Sequence, residues 1–459
     1  MSPTFGTDGV RGRANIDITA ELALAIGRSA SAVLLPDNPR RAVIGGDTRA
    51  STPMLSAALA AGFAASGVDV VDLGVAPTPM VADAARRHDA IGAVVSASHN
   101  PFHDNGIKLF ARGGMKLRDD VERRIEEHLE QDASVSFARA LGADGGPVGA
   151  IRSGHTSIGR EYLDHLKSAI DGRTLDGMRI VIDAANGAAA ELVAPLFTEL
   201  GVDAIVLADR PDGRNINDGC GATQPSNVAD AVRTHGADAG IALDGDADRL
   251  IAVDHTGAVV DGDHIIAVCA RDLRARGRLA GDAVVVTVMS NLGFRLAMDE
   301  AAIGVIETPV GDRYVLEAMS EGRYSLGGEQ SGHVIFADHA TTGDGLLTAL
   351  ILLDATRRAG RPLAELAAEA MTSLPQVLVN IEVAERLPDV ADQIADEIAA
   401  AERTLAGRGR VLVRASGTEP LVRVMVEAPT DHAARATADE LAAVVHRRFG
   451  RTDPPAVGR

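Results

Sequence analysis

AIGAVVSASHNP, residues 90–101, reads as a buried strand that ends in reactive side chains. The run at 90–95 has no polar face, which fits a parallel strand covered on both sides. Ser98 sits on the loop just past it, on the side where open α/β sheets bind ligands. His99 and Asn100 add polar groups, and Pro101 fixes the path of the chain. An isolated Ser-His pair in such a place is more often a polar turn that merely ends a strand. Three further polar, glycine-bearing loops carry compatible chemistry here, so Ser98 is read as reactive.

The same alternation of apolar run and helical segment recurs along the chain. RAVIGG (41–46), an Ala-rich helix at 52–66, VDVVDLG (68–74) and a helix at 79–88 lead into the strand before Ser98. RIVIDA (179–184), a helix at 188–200, DAIVLA (203–208), a helix at 226–235 and AGIALD (239–244) form a second unit. A helix at 262–278, DAVVVTVM (282–289), a helix at 291–302 and GVIET (304–308) form a third. Each predicts βαβ layers on a largely parallel sheet. VLVNIEV (377–383), VLVRAS (411–416) and LVRVMVEA (421–428), flanked by helices at 389–406 and 431–447, predict a smaller α+β domain. The expected divisions are 1–155, 156–255, 256–370 and 371–450, with 451–459 a disordered tail.

A chain of 459 residues is too long for one core. Apolar residues make up 46% and aromatics only 3%, with no Trp, so the cores must be built from Ala, Val, Leu and Ile. A net charge of −19 argues against nonspecific binding to nucleic acid or an anionic membrane. A few arginines in one cleft still suffice for a small anionic substrate. Two cysteines, Cys220 and Cys269, make neither a disulfide framework nor a zinc cluster. With no apolar signal-peptide core in MSPTFGTDGVRG, the expected location is the reducing cytosol. No apolar stretch approaches the ~18 residues of a membrane span.

LDGDADR (243–249) places Asp244, Asp246 and Asp248 at alternate positions, on one side of an extended segment or wrapped round one point. Three clustered anions repel, and a divalent cation satisfies them. Oxygen-only ligands suit Mg²⁺ over Zn²⁺. The competing reading is a solvated acidic turn. An EF-hand is excluded, because no glutamate stands at loop position twelve, near Ala252, Val253 and Asp254. GGEQSGH (327–333) offers Glu329, Ser331 and His333 between glycines, a set able to read sugar hydroxyls or an amine. RASGTEP (414–420) offers Arg414, then Ser416, Gly417 and Thr418 as a concave donor set for phosphate, with Arg423 on the next strand. An ordinary hairpin turn is the alternative there. FGTDGVRG (5–12) presents Thr7 and Arg11, the latter able to clamp an anion. GGDTRAS (45–51) either supports such a clamp or caps the helix that begins near Ser51.

FGTDGVRG, SASHNPFHDNGIKLF (96–110), LDGDADR, GGEQSGH and RASGTEP stand in the order and spacing of the α-D-phosphohexomutase superfamily, which the chain resembles from about residue 4 to 428. DAANGA (183–188), NINDGCGATQP (215–225) and VGDRYV (310–315) agree with it. The resemblance implies three mixed α/β domains with largely parallel sheets plus a smaller, mobile C-terminal α+β domain around a central cleft. It implies that Ser98 rests as phosphoserine, with Mg²⁺ held by Ser98, Asp244, Asp246 and Asp248. Arg11, His99, Lys108 and Arg249 would line the reacting end. Glu329, Ser331 and His333 would contact the sugar, and Arg414, Ser416, Gly417, Thr418 and Arg423 would hold the non-reacting phosphate. The TDGVRG opening and Gln330, where hexose-phosphate members carry methionine, resemble the branch acting on amino sugars. The expected reaction interconverts glucosamine 6-phosphate and glucosamine 1-phosphate through glucosamine 1,6-bisphosphate, supplying amino-sugar precursor for cell-wall synthesis. A homodimer is also implied. One position departs from the pattern: Gly46 stands where relatives usually carry a basic residue, which puts support of the metal loop from there in question.

Three rivals are distinguishable. Glucose- or mannose-phosphate mutase activity would show in a coupled assay with each sugar. A metal-dependent phosphatase would release free phosphate without a bisphosphate primer. A catalytically silent sugar-phosphate sensor has no use for an intact Ser98 and three carboxylates. A Rossmann dehydrogenase is disfavoured, since no G-x-G-x-x-G follows the first strand.

Overall fold

The computed structural model describes residues 5, 6, 9–35, 37, 40–134, 147–415 and 420–450. Thr7, Ser416, Gly417, Thr418 and the 451–459 tail, all singled out above, lie outside them. The described strands form four sheets. The first contains β1 (Val10–Arg13), β2 (Arg41–Gly46), β3 (Asp69–Val75), β4 (Ile91–Val95), β5 (Asp104–Phe110) and β6 (Ile151–Ser153), ordered β1-β5-β4-β2-β3-β6. The second contains β7 (Arg179–Asp183), β8 (Asp203–Leu207), β9 (Ala239–Leu243), β10 (Leu250–Asp254) and β11 (Val259–Val260), ordered β11-β10-β9-β7-β8. The third contains β12 (Ala283–Thr287), β13 (Gly304–Thr308), β14 (Leu326–Gly328) and β15 (Val334–Phe336), ordered β13-β12-β14-β15. The fourth contains β16 (Gln376–Glu382), β17 (Arg410–Ala415) and β18 (Leu421–Glu427), ordered β16-β18-β17.

The continuous apolar runs are the parallel strands. β2, β4, β7 and β9 pair in parallel within their sheets and are buried nearly throughout. Each of the first three sheets then adds antiparallel strands that periodicity did not indicate: β5 against β4 and β1, β10 against β9 and β11, and β15 against β14. Direction of pairing is not written in hydropathy, and these strands follow tight loops that fold straight back. The candidate chemistry lies in those loops. Residues 96–103 join β4 to β5, residues 244–249 join β9 to β10, and residues 329–333 join β14 to β15. Branched aliphatics and alanine fill the cores, with Phe63, Phe110 and Phe197 the large inclusions in the first two α/β layers. No described helix is long and apolar enough to cross a membrane.

By its internal packing the chain divides into two units, Met1–Met289 with Ala301–Ala370, and Ser290–Glu300 with Met371–Arg459. In the second unit the antiparallel sheet is covered by helices Ala395–Leu405 and Asp431–Phe449. The single helix expected at 389–406 is broken at Ile394 into Val390–Gln393 and Ala395–Leu405. Helix Leu292–Glu300 belongs to this unit because Glu427, buried in the sheet, accepts the Leu292 N–H at 2.8 Å and pairs with Arg410 at 2.8 Å.

Candidate active site

Ser98 is buried and takes a left-handed backbone conformation, φ +52°. Such a conformation is unfavourable for a residue with a Cβ. Several bonds hold it. Its N–H donates to Ser96 Oγ at 2.9 Å, and Ser96 Oγ donates to Asp47 Oδ2 at 2.6 Å. Its carbonyl accepts Arg49 Nη2 and Asn217 Nδ2, each at 2.9 Å. The result aims Oγ at Asp244, whose Oδ2 accepts it at 2.5 Å.

Arg49 organises the whole 98–104 turn. Its guanidinium is buried, pairs with Asp47 at 2.8 Å, and donates to the carbonyls of Ser98 at 2.9 Å, Asn100 at 2.8 Å, Asp104 at 3.1 Å and Pro101. A rigid planar fork suits this task. Of the two readings of GGDTRAS, the helix cap is not what the structure shows. Ser51 makes no cap bond, and the inward Arg49 is what the segment contributes. Position 46 has no room for a basic side chain, since a Cβ there would lie 2.5 Å from Thr52 Cγ2 and 2.7 Å from the Val95 carbonyl.

The aspartates of the 244–249 loop wrap round one point. One oxygen of each lies within 4.8 Å of the others, and all three side chains are buried. Ala247 turns the loop at φ +56°. Gly245 allows it to touch the Ser98 loop, since a Cβ there would come within 2.6 Å of the Ser98 carbonyl. Asp246 Oδ2 accepts Lys108 Nζ at 2.8 Å and Thr78 Oγ1 at 2.6 Å. Asp248 Oδ2 accepts the same ammonium at 3.3 Å. Oδ1 of Asp246 and Oδ1 of Asp248 are buried with no hydrogen-bond partner. Burial, then Asp248 and Asp246, push the Asp244 carboxyl well above the usual carboxylate range. Burial also opposes charge on Asp248, but Lys108 and His333 outweigh it and hold that carboxyl well below. Orphaned oxygens in a crowded carboxylate set fit a hard divalent cation.

The flanking groups are placed as follows. His99 Nδ1 lies 3.4 Å from Ser98 Oγ. Burial, then Arg249 and Arg11, lower its pKa, so the ring is neutral at neutral pH. Arg249 Nε is 3.8 Å from Asp248 Oδ1. Glu329 Oε1 accepts the Gly311 N–H at 3.3 Å, Ser331 is exposed, and Gln330 Nε2 reaches Asp261 at 3.4 Å. His333, which the resemblance assigns to the sugar, is buried, its ring 3.7 Å from Asp248 and 3.3 Å from Asp312. In the second unit Arg414 and Arg423 are direct cross-strand partners of β17 and β18. Like charges directly opposite are unfavourable. Burial, then Arg423, lower the Arg414 pKa, and an anion would relieve both effects.

Sequence reasoning missed Thr78 and undervalued Arg49, Asn217 and Asp312. The last three stand inside quoted segments. Thr78, in VAPTP (75–79), carries only the local signal of a proline-flanked helix start.

The phosphoglucomutase/phosphomannomutase family matches in four successive parts: α/β/α domain I at residues 2–136, domain II at 160–257, domain III at 261–374, and the C-terminal domain at 378–444. The chain belongs to this family. Among curated relatives it is 55% identical to the phosphoglucosamine mutase of Frankia alni, over 97% of this chain and 98% of that protein. It is 53% identical to the phosphoglucosamine mutase of Thermobifida fusca, over 97% of this chain and 98% of that one. A crystal structure of a phosphoglucomutase/phosphomannomutase family protein from Burkholderia thailandensis matches with TM-score 0.80 and 26% identity, covering 96% of this chain and 97% of that one.

Proposed function

We propose that the chain catalyses the phosphoglucosamine mutase reaction, interconverting glucosamine 6-phosphate and glucosamine 1-phosphate. The observation that carries it is Ser98 Oγ seated on Asp244, at the edge of a carboxylate set with two orphaned oxygens. In the resting enzyme Ser98 carries a phosphoryl group. A sugar hydroxyl attacks the phosphorus, the P–O bond to Ser98 breaks, and glucosamine 1,6-bisphosphate results. The bisphosphate reverses in the site and returns its other phosphoryl group to Ser98. Phosphoryl transfer depends on positioning and charge neutralisation. Lys108 and Arg249 supply fixed positive charge, and neutral His99 can accept the hydroxyl proton. Asp244, Asp246 and Asp248 would hold Mg²⁺, which when bound neutralises charge on the transferring group. Phosphorylation removes the proton that Ser98 Oγ donates to Asp244 and adds negative charge beside the carboxylate set, so the demand for a cation rises.

Arg414 and Arg423 hold the phosphate that is not reacting. Arg423→Ala is expected to weaken binding of both sugar phosphates alike, by about 1.5–3 kcal/mol for a lost charge-assisted bond. Steady-state kinetics in both directions check this, and a loss confined to one isomer would argue against a shared clamp.

Glu329 reads the sugar amine. Glu329→Gln keeps size and removes charge, so glucosamine phosphate should lose about tenfold more kcat/KM than glucose phosphate near neutral pH. The coupled assay with glucosamine, glucose and mannose 1-phosphates tests the substrate assignment itself. Wild-type preference for glucose or mannose phosphate would move the chain to the hexose branch of its family.

A further inference from the structure

Asp246 is held from outside its own loop. The Thr78 hydroxyl donates to Asp246 Oδ2 at 2.6 Å, and the Thr78 N–H donates to the Asp246 carbonyl at 3.0 Å. Thr78 is fully buried and opens helix Thr78–Arg87, with Pro77 before it and Pro79 after it. Two prolines and a β-branched side chain leave its hydroxyl little freedom to point elsewhere. Lys108 shares the same Oδ2 at 2.8 Å, but its flexible stem also serves Asp248 at 3.3 Å. Thr78 is thus the donor committed to Asp246 alone. With Oδ2 occupied twice, Oδ1 is left buried and unbonded.

We propose that Thr78 is a positioning residue for the divalent cation. It locks the rotation of the Asp246 carboxylate so that Oδ1 faces the cation, and it keeps Oδ2 from competing. The inference rests on the cation site proposed above. Groups that hydrogen-bond a metal-ligating carboxylate set its orientation, and their loss typically lowers metal affinity 10–100-fold.

Mn²⁺ titration of the full-length protein, with free Mn²⁺ followed by electron paramagnetic resonance, tests this. Thr78→Val keeps the shape and removes the hydroxyl, and should weaken Mn²⁺ binding about tenfold. Thr78→Ala, which only removes atoms, should do the same. Thr78→Ser should restore wild-type affinity. The Mg²⁺ concentration for half-maximal turnover should shift in parallel, with turnover recovering at saturating Mg²⁺. A purely structural role would lower the melting temperature of Thr78→Val and Thr78→Ala without moving Mn²⁺ affinity, and that result overturns the proposal. Asp246→Asn separates the two levels. If it abolishes Mn²⁺ binding while Thr78→Val and Thr78→Ala bind normally, only the role of Thr78 is lost. If the wild type binds no Mn²⁺, or Asp246→Asn binds as well as wild type, the cation site itself is wrong.

Discussion

Ser98→Ala is expected to lose mutase turnover by at least about a thousandfold, ~4 kcal/mol of barrier, while keeping its fold. On the proposed mechanism the oxygen that takes the phosphoryl group is gone. His99 lies 3.4 Å from that oxygen, and the other hydroxyl on the carboxylate set, that of Thr78, is buried and committed to Asp246 Oδ2 at 2.6 Å, on a different aspartate from the one Ser98 faces. Folding should survive because alanine tolerates φ +52° no worse than serine. The bonds that hold the turn use the Ser98 N–H and carbonyl, which remain. Loss of the hydroxyl leaves Asp244 with the Arg249 N–H at 3.1 Å, so the stability change should be on the order of 1 kcal/mol. Intact-mass analysis of the wild type should show one added phosphoryl group that maps to Ser98 and is absent from the variant. A variant retaining more than about a tenth of wild-type turnover, a barrier change under ~1.4 kcal/mol, would defeat the covalent role.

The two sides of this site were unequally legible in the sequence. Strands such as 42–46, 91–95 and 239–243 announce themselves because both faces are buried and every residue must be apolar or small. Ser98 and the three aspartates follow from them, since a polar residue just past such a strand falls on the ligand-binding edge. The antiparallel partners were less visible. DNGIKLF (104–110) mixes polar and apolar residues because Lys108 points into the carboxylate set, so its pattern is set by chemistry as much as by burial. Thr78 and Arg49 were hidden for another reason. Their importance lies in contacts 168 and 49 residues away along the chain, and no local periodicity encodes such a contact. The enclosure of His333 is similar: GGEQSGH reads as an open polar loop until β14 and β15 pair and turn the ring toward Asp248 and Asp312.

Arg49→Met is expected to show how much the reactive turn depends on one buried guanidinium. The substitution strands Asp47 without its charge partner and removes donors from the carbonyls of Ser98, Asn100, Pro101 and Asp104. Breaking one side of a buried ion pair costs about 3–5 kcal/mol. Chemical denaturation should register a loss of that order, and turnover should fall with the placement of Ser98. The two effects are separable. Asp47→Asn alongside Arg49→Met removes the stranded charge, and asparagine can still bond Thr52 and Ser96, the other side-chain donors to Asp47. The double variant should therefore recover much of the stability, a coupling that a double-mutant cycle measures directly. It should not recover turnover, because the four carbonyls still lack the guanidinium, and Asn217, which reaches only those of Ser98 and Asn100, holds the left-handed turn less firmly by itself. Arg49→Lys should behave like Arg49→Met in turnover, since one ammonium cannot reproduce a planar fork that serves four carbonyls and a carboxylate. Restored turnover in the double variant would mean that Arg49 serves only to neutralise Asp47, and that the strained turn is held by Ser96 and Asn217 alone.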